Sequence, residues 1–338
     1  MIITIGGIFK MKLFITGEKG FIGTNLIRRA KKFDIDIISG IHEKNDKTAW
    51  VSQYTTEKGE PCVHRNTEGA WASFFEDNEI DVVIHNAAKV GTDVVALDAK
   101  ESTLTNVQGT YNICRAARAL DIGVCYMGTT VIYDTSKYQN EAIKEESDRG
   151  PHTFYGCQKL CAEDIMKSQV EKWMIVRPLF AYGGIGDMNS LIAKSIYGAL
   201  NNKNQIDMFL DPTKIKDYMH VNDYCDAVLT AITQNMWYQD WNVAAETPLM
   251  TGEIVNLIQE ITNLDLKDVV RWYPKTDYLG NHMLTSWKFR NVSGWSPKIS
   301  LEEGIKMSFQ SILQSKGYNP LKYLEEAKER NVDLTEFY

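Results

Sequence analysis

The chain has 338 residues, of which 44% are apolar, 24% charged and 11% aromatic. That is the composition of an ordinary globular protein with room for one large α/β domain and a second lobe. A net charge of −7 argues against nucleic acid as a partner, while leaving room for a local basic pocket for a diphosphate. The six cysteines form no C-x-x-C pair and have no His-rich neighbourhood at zinc spacing, so they read as reduced thiols of a cytoplasmic protein without a metal site.

The first ten residues, MIITIGGIFK, are apolar but too short for a membrane span, and they lack a basic leader and a cleavage site. Met11 reads as the natural start of the first strand, and no later stretch reaches membrane-spanning length. Residues 12–16 (KLFIT) are expected as a buried strand, followed by a glycine turn and a helix over 25–32. Residues 34–39 form the second expected strand, and 40–65 a polar loop with one short strand near Cys62 to His64. A helix over 69–78 leads to a continuous apolar strand over 80–88, then a long helix over 99–120 and a strand over 123–130. After a loop to Pro151 comes the helix carrying Tyr155 and Lys159, then a strand over 173–178 that proline ends. This alternation predicts a Rossmann-type, doubly wound parallel sheet with helices on both faces.

Beyond Pro178 the pattern is irregular and predicts a smaller mixed α/β lobe. Helices are expected over 190–200, from Asp223, over 251–262, and after Ser300, where Glu303 completes a capping box. The expected organisation is a dinucleotide-binding domain over 11–180, a substrate-binding lobe over 181–316 with some segments returning to the sheet, and an appendage over 317–338.

Gly17, Gly20 and Gly23 follow a strand and open a helix. In that context glycines permit a tight turn, close approach to a pyrophosphate and close helix–sheet packing, with the helix N-terminus facing the anion. Lys19, Phe21 and Ile22 of the same turn are expected at the cofactor with them. An NAD site usually has an acidic residue ending the second strand, whereas here Ser39 and Gly40 stand there, and the next carboxylate is Glu43. With Lys19 placed to reach a 2′-phosphate, the pattern leans toward NADP. NAD stays open through Glu43.

Tyr155 and Lys159 are four residues apart in FYGCQKLCAED and share a face if that segment is helical. A phenol titrates at about pH 10, and a neighbouring ammonium draws its pKa down. Such a tyrosine can exchange the proton of a sugar hydroxyl while a nicotinamide exchanges hydride. Taken alone, the pair also reads as two surface residues on an amphipathic helix; the glycine turn and the strand pattern tip the balance.

With TGEKGFIG, VVIHNAA, TNVQGTYNICRAA, MGTTVIYD, FYGCQK, RPLFAYG, KDYMHVND and GWSPKISLEEG in this order over about residues 11–313, the chain resembles the extended short-chain dehydrogenase/reductase family. That family comprises nucleotide-sugar epimerases, dehydratases and 4-ketoreductases. The resemblance implies catalytic roles for Thr129, Tyr155, Lys159 and Asn106. It implies cofactor contacts from Asn86, Ala87 and Ala88 at a strand end, and from Pro178, and substrate contacts from Thr130, Asn189 and Lys216. Lys216 stands where many members carry an arginine for the substrate diphosphate; a lysine neutralises charge without the bidentate fork. Trp272 and Tyr273 are candidates for the sugar-nucleotide pocket, with core packing the alternative. The resemblance further implies a homodimer formed by the helices near 99–120 and 153–168, and a nucleotide-diphosphate sugar as substrate.

Departures narrow the expected chemistry. The 4,6-dehydratase branch carries an Asp-Glu pair after its catalytic threonine; here Thr130 and Val131 stand there, and neither side chain supplies an acid and a base for elimination. The decarboxylase branch has Glu at the position of Val131. The stretch MGTTVIYD and Lys19 most resemble the GDP-fucose synthase-like branch, yet that branch's extra Cys and later His are missing: Val131 replaces the Cys, and no His lies between Pro178 and Lys216. Hydride chemistry remains, as 4-keto reduction or 4-epimerisation. The competing expectation is a catalytically silent dinucleotide- or sugar-nucleotide-binding sensor on the same scaffold.

Overall fold

The apolar runs of the first half become adjacent strands because each is buried on both faces and needs helices above and below. In the computed structural model the described residues are 11–316, apart from 36, 40–66, 92–94, 96, 202–204, 268, 275, 276 and 278. The expected strand near Cys62, the carboxylate of Glu43, the first ten residues and the tail all lie outside them.

Strands β1 (Leu13–Thr16), β2 (Ile37–Ser39), β3 (Val82–His85), β4 (Gly123–Met127), β5 (Trp173–Pro178) and β6 (Gln239–Val243) form one sheet in the order β6-β5-β4-β3-β1-β2. The pairs β1·β2, β1·β3, β3·β4 and β4·β5 are parallel. Strand order reverses between β1 and β3, and in open α/β sheets ligands bind at the carboxyl ends of the strands flanking such a point. The flanking helices are α1 (Phe21–Ala30), α2 (Glu68–Asp77), α3 over residues 99–119 and α4 (Phe154–Gln169). Phe14 of β1 packs its ring against Trp71, Phe74 and Phe75 of α2, with centroids 4.9–5.9 Å away.

Several elements differ from expectation. Helix α1 begins at Phe21, not 25, because Gly20 already accepts the amide of Thr24 at 2.9 Å. Strand β3 stops at His85, because the amides of Asn86 and Ala87 turn to the Thr16 hydroxyl at 3.1 and 3.0 Å instead of continuing a ladder. Strand β4 stops at Met127, and a 3₁₀ turn over Thr130–Ile132 follows Thr129. Helix α3 holds a π-helical segment, Leu104–Gln108, between two α-helical stretches.

The chain divides into two compact units. One holds the described residues up to Tyr133 together with Arg149–Arg177 and Cys225–Trp241; the other holds Asp134–Asp148, Pro178–Tyr224 and the described residues from Asn242 on. The second unit is built on Leu191–Leu200, Thr251–Thr262 and Leu301–Ser315, helices whose apolar faces share one core with Tyr182, Ile206 and Met208. Ser190 caps the first of these through the amide of Ala193 at 3.0 Å, and Ser300 caps the last through the amide of Glu303 at 3.1 Å. Each satisfies an amide that the helix start leaves open.

A buried ion network closes the first unit beside β5. Arg177 and Glu163 are both fully buried, and the guanidinium grips the carboxylate with bonds of 2.9 and 2.8 Å. Arg177 also donates to the Tyr133 hydroxyl at 3.0 Å and to Asp240 at 2.6 Å, and Arg149 reaches Asp240 at 2.7 Å. Removing one partner strands a buried charge. Glu163→Gln is therefore expected to destabilise the protein by about 3–5 kcal/mol, read from chemical denaturation. The double change Glu163→Leu with Arg177→Met is expected to cost less than the single one.

Candidate active site

The site grows from the end of β1. Gly17 has φ +72°, a conformation that glycine adopts without penalty, and a Cβ there would stand 2.9 Å from the Ala87 Cα. A Cβ on Gly23 would collide with the Gly17 carbonyl oxygen, and the Gly20 amide donates to that same oxygen at 3.1 Å. The turn is thus a backbone cradle with no room for side chains at these positions, as a pyrophosphate on the N-terminus of α1 requires. Phe21 and Ile22 open that helix half-buried, Lys19 is exposed, and Ser39 ends β2.

Strand β3 delivers Asn86, Ala87 and Ala88 beside the cradle, and the Asn86 side chain donates to the Gly17 carbonyl at 3.1 Å. Beneath them His85 is buried between two hydroxyls, Nδ1 2.9 Å from Thr16 Oγ1 and Nε2 3.0 Å from Thr110 Oγ1. Desolvation, aided by the charge of Lys159, pushes its pKa down to about 3, so it stays neutral. Asn106, in the π segment, clips the turn that follows: its Oδ1 accepts the Lys89 amide at 2.8 Å and its Nδ2 donates to the Lys89 carbonyl at 3.0 Å.

At the end of β4, Thr129 is half-buried and extended, and its hydroxyl accepts a long bond of 3.5 Å from the Val131 amide. Thr130 is buried, and Val131 half-buried, in the turn that follows. Helix α4 presses directly onto this turn: a Cβ on Gly156 would lie 2.6 Å from the Val131 carbonyl oxygen. Only glycine allows that approach.

Lys159 is buried. Its amine donates to the Met127 carbonyl at 2.8 Å and sits 4.0 Å from the centroid of the Tyr126 ring. Burial draws its pKa from the ordinary 10.5 to about 7, with the carboxylate of Glu163 working the other way. Half-buried Tyr155 stands one helical turn before Lys159 on α4. Met127, Tyr126, His85, Gln158 and the Glu163–Arg177 pair were not singled out in the sequence reading; for Gln158 the available signal was a bulky amide next to Lys159 in YGCQK.

Of the other expected site residues, Pro178 ends β5, and Asn189 and Lys216 belong to the second unit. Asn189 is exposed, its amide 3.3 Å from Asp187 Oδ1. Lys216 is buried and donates to Asp277 at 2.9 Å and to the Gly280 carbonyl at 2.5 Å. Trp272 packs on the second unit's core, and Tyr273 stacks on Phe209 with centroids 5.1 Å apart. Among the described residues no helix is long and apolar enough to cross a membrane, and no cluster of three or more His, Cys, Asp or Glu side chains is placed to hold a metal ion.

Residues 13–244 match the sequence model of the NAD dependent epimerase/dehydratase family, and the chain belongs to that family of nucleotide-sugar enzymes using NAD(P). It is 26% identical to the dTDP-D-glucose 4,6-dehydratase of Mus musculus, covering 90% of this chain and 89% of that one. To the dTDP-glucose 4,6-dehydratase of Haemophilus influenzae it is 23% identical, over 88% of this chain and 96% of that protein. Among solved structures, it superposes on RMD from Pseudomonas aeruginosa complexed with NADPH with a TM-score of 0.76 at 18% identity, covering 91% of this chain and all (100%) of that one. On the UDP-glucose 4-epimerase of Thermotoga maritima with UDP-glucose the TM-score is 0.74 at 19% identity, with coverage of 90% and 100%.

The depressed pKa of Lys159 has a consequence for stability. Between about pH 7, where the folded amine loses its proton, and 10.5, where the unfolded one does, the unfolded chain binds more protons, so this residue's contribution to stability rises with pH. Below about pH 7 its burial penalty is fully present. Lys159→Met is expected to raise the melting temperature at pH 7 by a few degrees, and the gain should shrink toward pH 10. Differential scanning calorimetry across pH checks both the size and the sign.

Proposed function

We propose that the chain is an NADP-linked nucleotide-sugar 4-ketoreductase or 4-epimerase with Tyr155 as its acid–base group. The observation that carries this reading is the buried amine of Lys159, one turn beyond Tyr155 on α4, held by the Met127 carbonyl and the Tyr126 ring. A buried cation is a costly thing to keep, and its use here is to favour the phenolate of the adjacent tyrosine. The glycine cradle with Asn86, Ala87 and Ala88 would hold the dinucleotide, and Lys159 and Tyr155 would serve its nicotinamide. When bound, that ring supplies or accepts hydride. Tyr155 hands a proton to, or takes it from, the oxygen at the reacting sugar carbon, while the Thr129 hydroxyl orients that oxygen. Asn106 acts by holding the turn through Lys89.

The choice of hydride chemistry over elimination rests on Thr130 and Val131, because neither can protonate a leaving hydroxyl or remove a carbon-bound proton at neutral pH. The preference for NADP rests on Lys19 in the turn and Ser39 at the end of β2. A homodimer formed through α3 and α4 completes the reading; on α4, Cys157 and Cys161 are exposed along a groove with Leu160 and Ile165.

Tyr155→Phe is expected to lower turnover by about 10²–10⁴-fold while leaving dinucleotide binding intact. The assay offers NADPH with 4-keto-6-deoxy sugar nucleotides for reduction, and UDP-, GDP- and dTDP-hexoses for epimerisation. Normal turnover by the phenylalanine variant overturns the mechanism; dinucleotide binding without turnover of any sugar favours a sensor. In parallel, Lys19→Ala is expected to shift cofactor preference from NADPH toward NADH, measured by nicotinamide fluorescence titration. An unchanged ratio removes Lys19 from the 2′-phosphate.

A further inference from the structure

Between Tyr155 and Lys159 lies Gln158, 3% exposed, in the middle of a polar chain whose direction is set throughout. The direction starts at a backbone group whose polarity is unambiguous: the amide of Lys89 donates to Asn106 Oδ1 at 2.8 Å. Asn106 Nδ2 is therefore a donor, and it gives one bond to the Lys89 carbonyl at 3.0 Å and one to Gln158 Oε1 at 2.8 Å. The far end of Gln158 must then donate, and Nε2 reaches the hydroxyls of Ser102 and Thr103, each at 3.0 Å. Those hydroxyls donate in turn to backbone carbonyls, Ser102 to Val95 before α3 and to Ala99 within it, Thr103 to Ala99. Each amide orientation follows from the one before, and no link can be reversed alone.

From this we infer that Gln158 is a positioning residue. It locks the acid–base helix α4 to the π segment of α3 and, through Asn106, to the turn from Asn86 to Lys89 that flanks the dinucleotide. The consequence is a fixed relation between the proton-transfer pair and the cofactor. Its own bonds run to Asn106, Ser102 and Thr103. Its catalytic consequence rests on the function proposed above; the mechanical coupling does not.

The test uses the full-length chain and two variants. Gln158→Met keeps length and volume but removes the donor and the acceptor. Gln158→Glu keeps the acceptor for Asn106 and loses the donor until its carboxyl is protonated. Hydrogen exchange followed by mass spectrometry or NMR reads the Lys89 amide directly. In Gln158→Met that amide is expected to exchange about tenfold faster or more, while amides of β4 keep their protection. In Gln158→Glu the excess rate relative to wild type at the same pH is expected to shrink as pH falls and the carboxyl regains a proton. NADPH is expected to bind several-fold more weakly to Gln158→Met. With the reaction running, kcat is expected to fall by about 10–100-fold with substrate KM little changed, the signature of misplacement rather than lost binding.

An unchanged Lys89 exchange rate in a folded Gln158→Met chain overturns the inference. So does an equal acceleration across β4, which marks a general loss of packing. Should Gln158→Met not fold, the pH trend of Gln158→Glu decides: a pH-independent excess rate, or none, overturns the coupling. Should no sugar nucleotide turn over, the exchange and NADPH measurements still decide it, so this inference and the proposed reaction fail separately.

Discussion

A lysine amine held out of water organises the candidate site. The amine of Lys159 has surrendered its hydration for one carbonyl and one aromatic ring, and burial of that kind strongly disfavours the charged form. Its surroundings are arranged accordingly. His85, buried nearby, stays neutral and so adds no second charge. Glu163, one further turn along α4, is the counter-charge that draws the lysine's pKa back up. Glu163 is itself buried and has a permanent partner in Arg177, which reaches it from β5. The sequence of charges runs from strand end to helix to candidate site, and each member is explained by the next.

The second constraint is distance. Backbone must approach backbone closely at the two places where chemistry is expected, and glycine is what permits it. At Gly17 and Gly23 the turn folds onto itself and onto the end of β3. At Gly156 the helix closes on the Val131 carbonyl, and at Gly128 the strand end closes on the Arg177 side chain, where a Cβ would lie 2.7 Å from Cγ. These contacts hold α4 against the carboxyl end of β4 and leave the 3₁₀ turn after Thr129 between them. A rigid frame of this kind fixes where a reacting atom must sit.

Much of this frame is legible in the residues alone. Strand β5 and the helix Thr251–Thr262 fall where apolar runs, a terminal proline and helical spacing put them. The glycine turn, Tyr155 and Lys159 are legible because their spacing encodes local geometry. What escapes a one-dimensional reading is pairing between distant residues. Nothing in the sequence says that Asp240 meets Arg177, that Gln158 meets Asn106, or that Lys216 is matched by Asp277. The π segment in α3 is equally silent, since the apolar positions of 99–119 fit an unbroken helix; within it Asn106 bonds Gln158 of α4 and Lys89 of the turn. The boundaries at His85 and Met127 are set by one hydroxyl, that of Thr16, and by one capping threonine, neither of which alters hydrophobic periodicity.

That imbalance bears on what likeness to dehydratases means. Identities of 26% and 23% extend over nearly the whole chain and so speak for a shared scaffold. Reductases, epimerases and dehydratases all need that much, because all begin or end with hydride at one carbon. Elimination needs something more, an acid and a base poised over the neighbouring carbons, and those groups occupy two positions only. Here the two are a buried threonine and a half-buried valine inside a tight turn. A turn this short cannot borrow the missing carboxylates from its own backbone. In the proposed reading, two side chains out of 338 weigh more in choosing the reaction than likeness to dehydratases does.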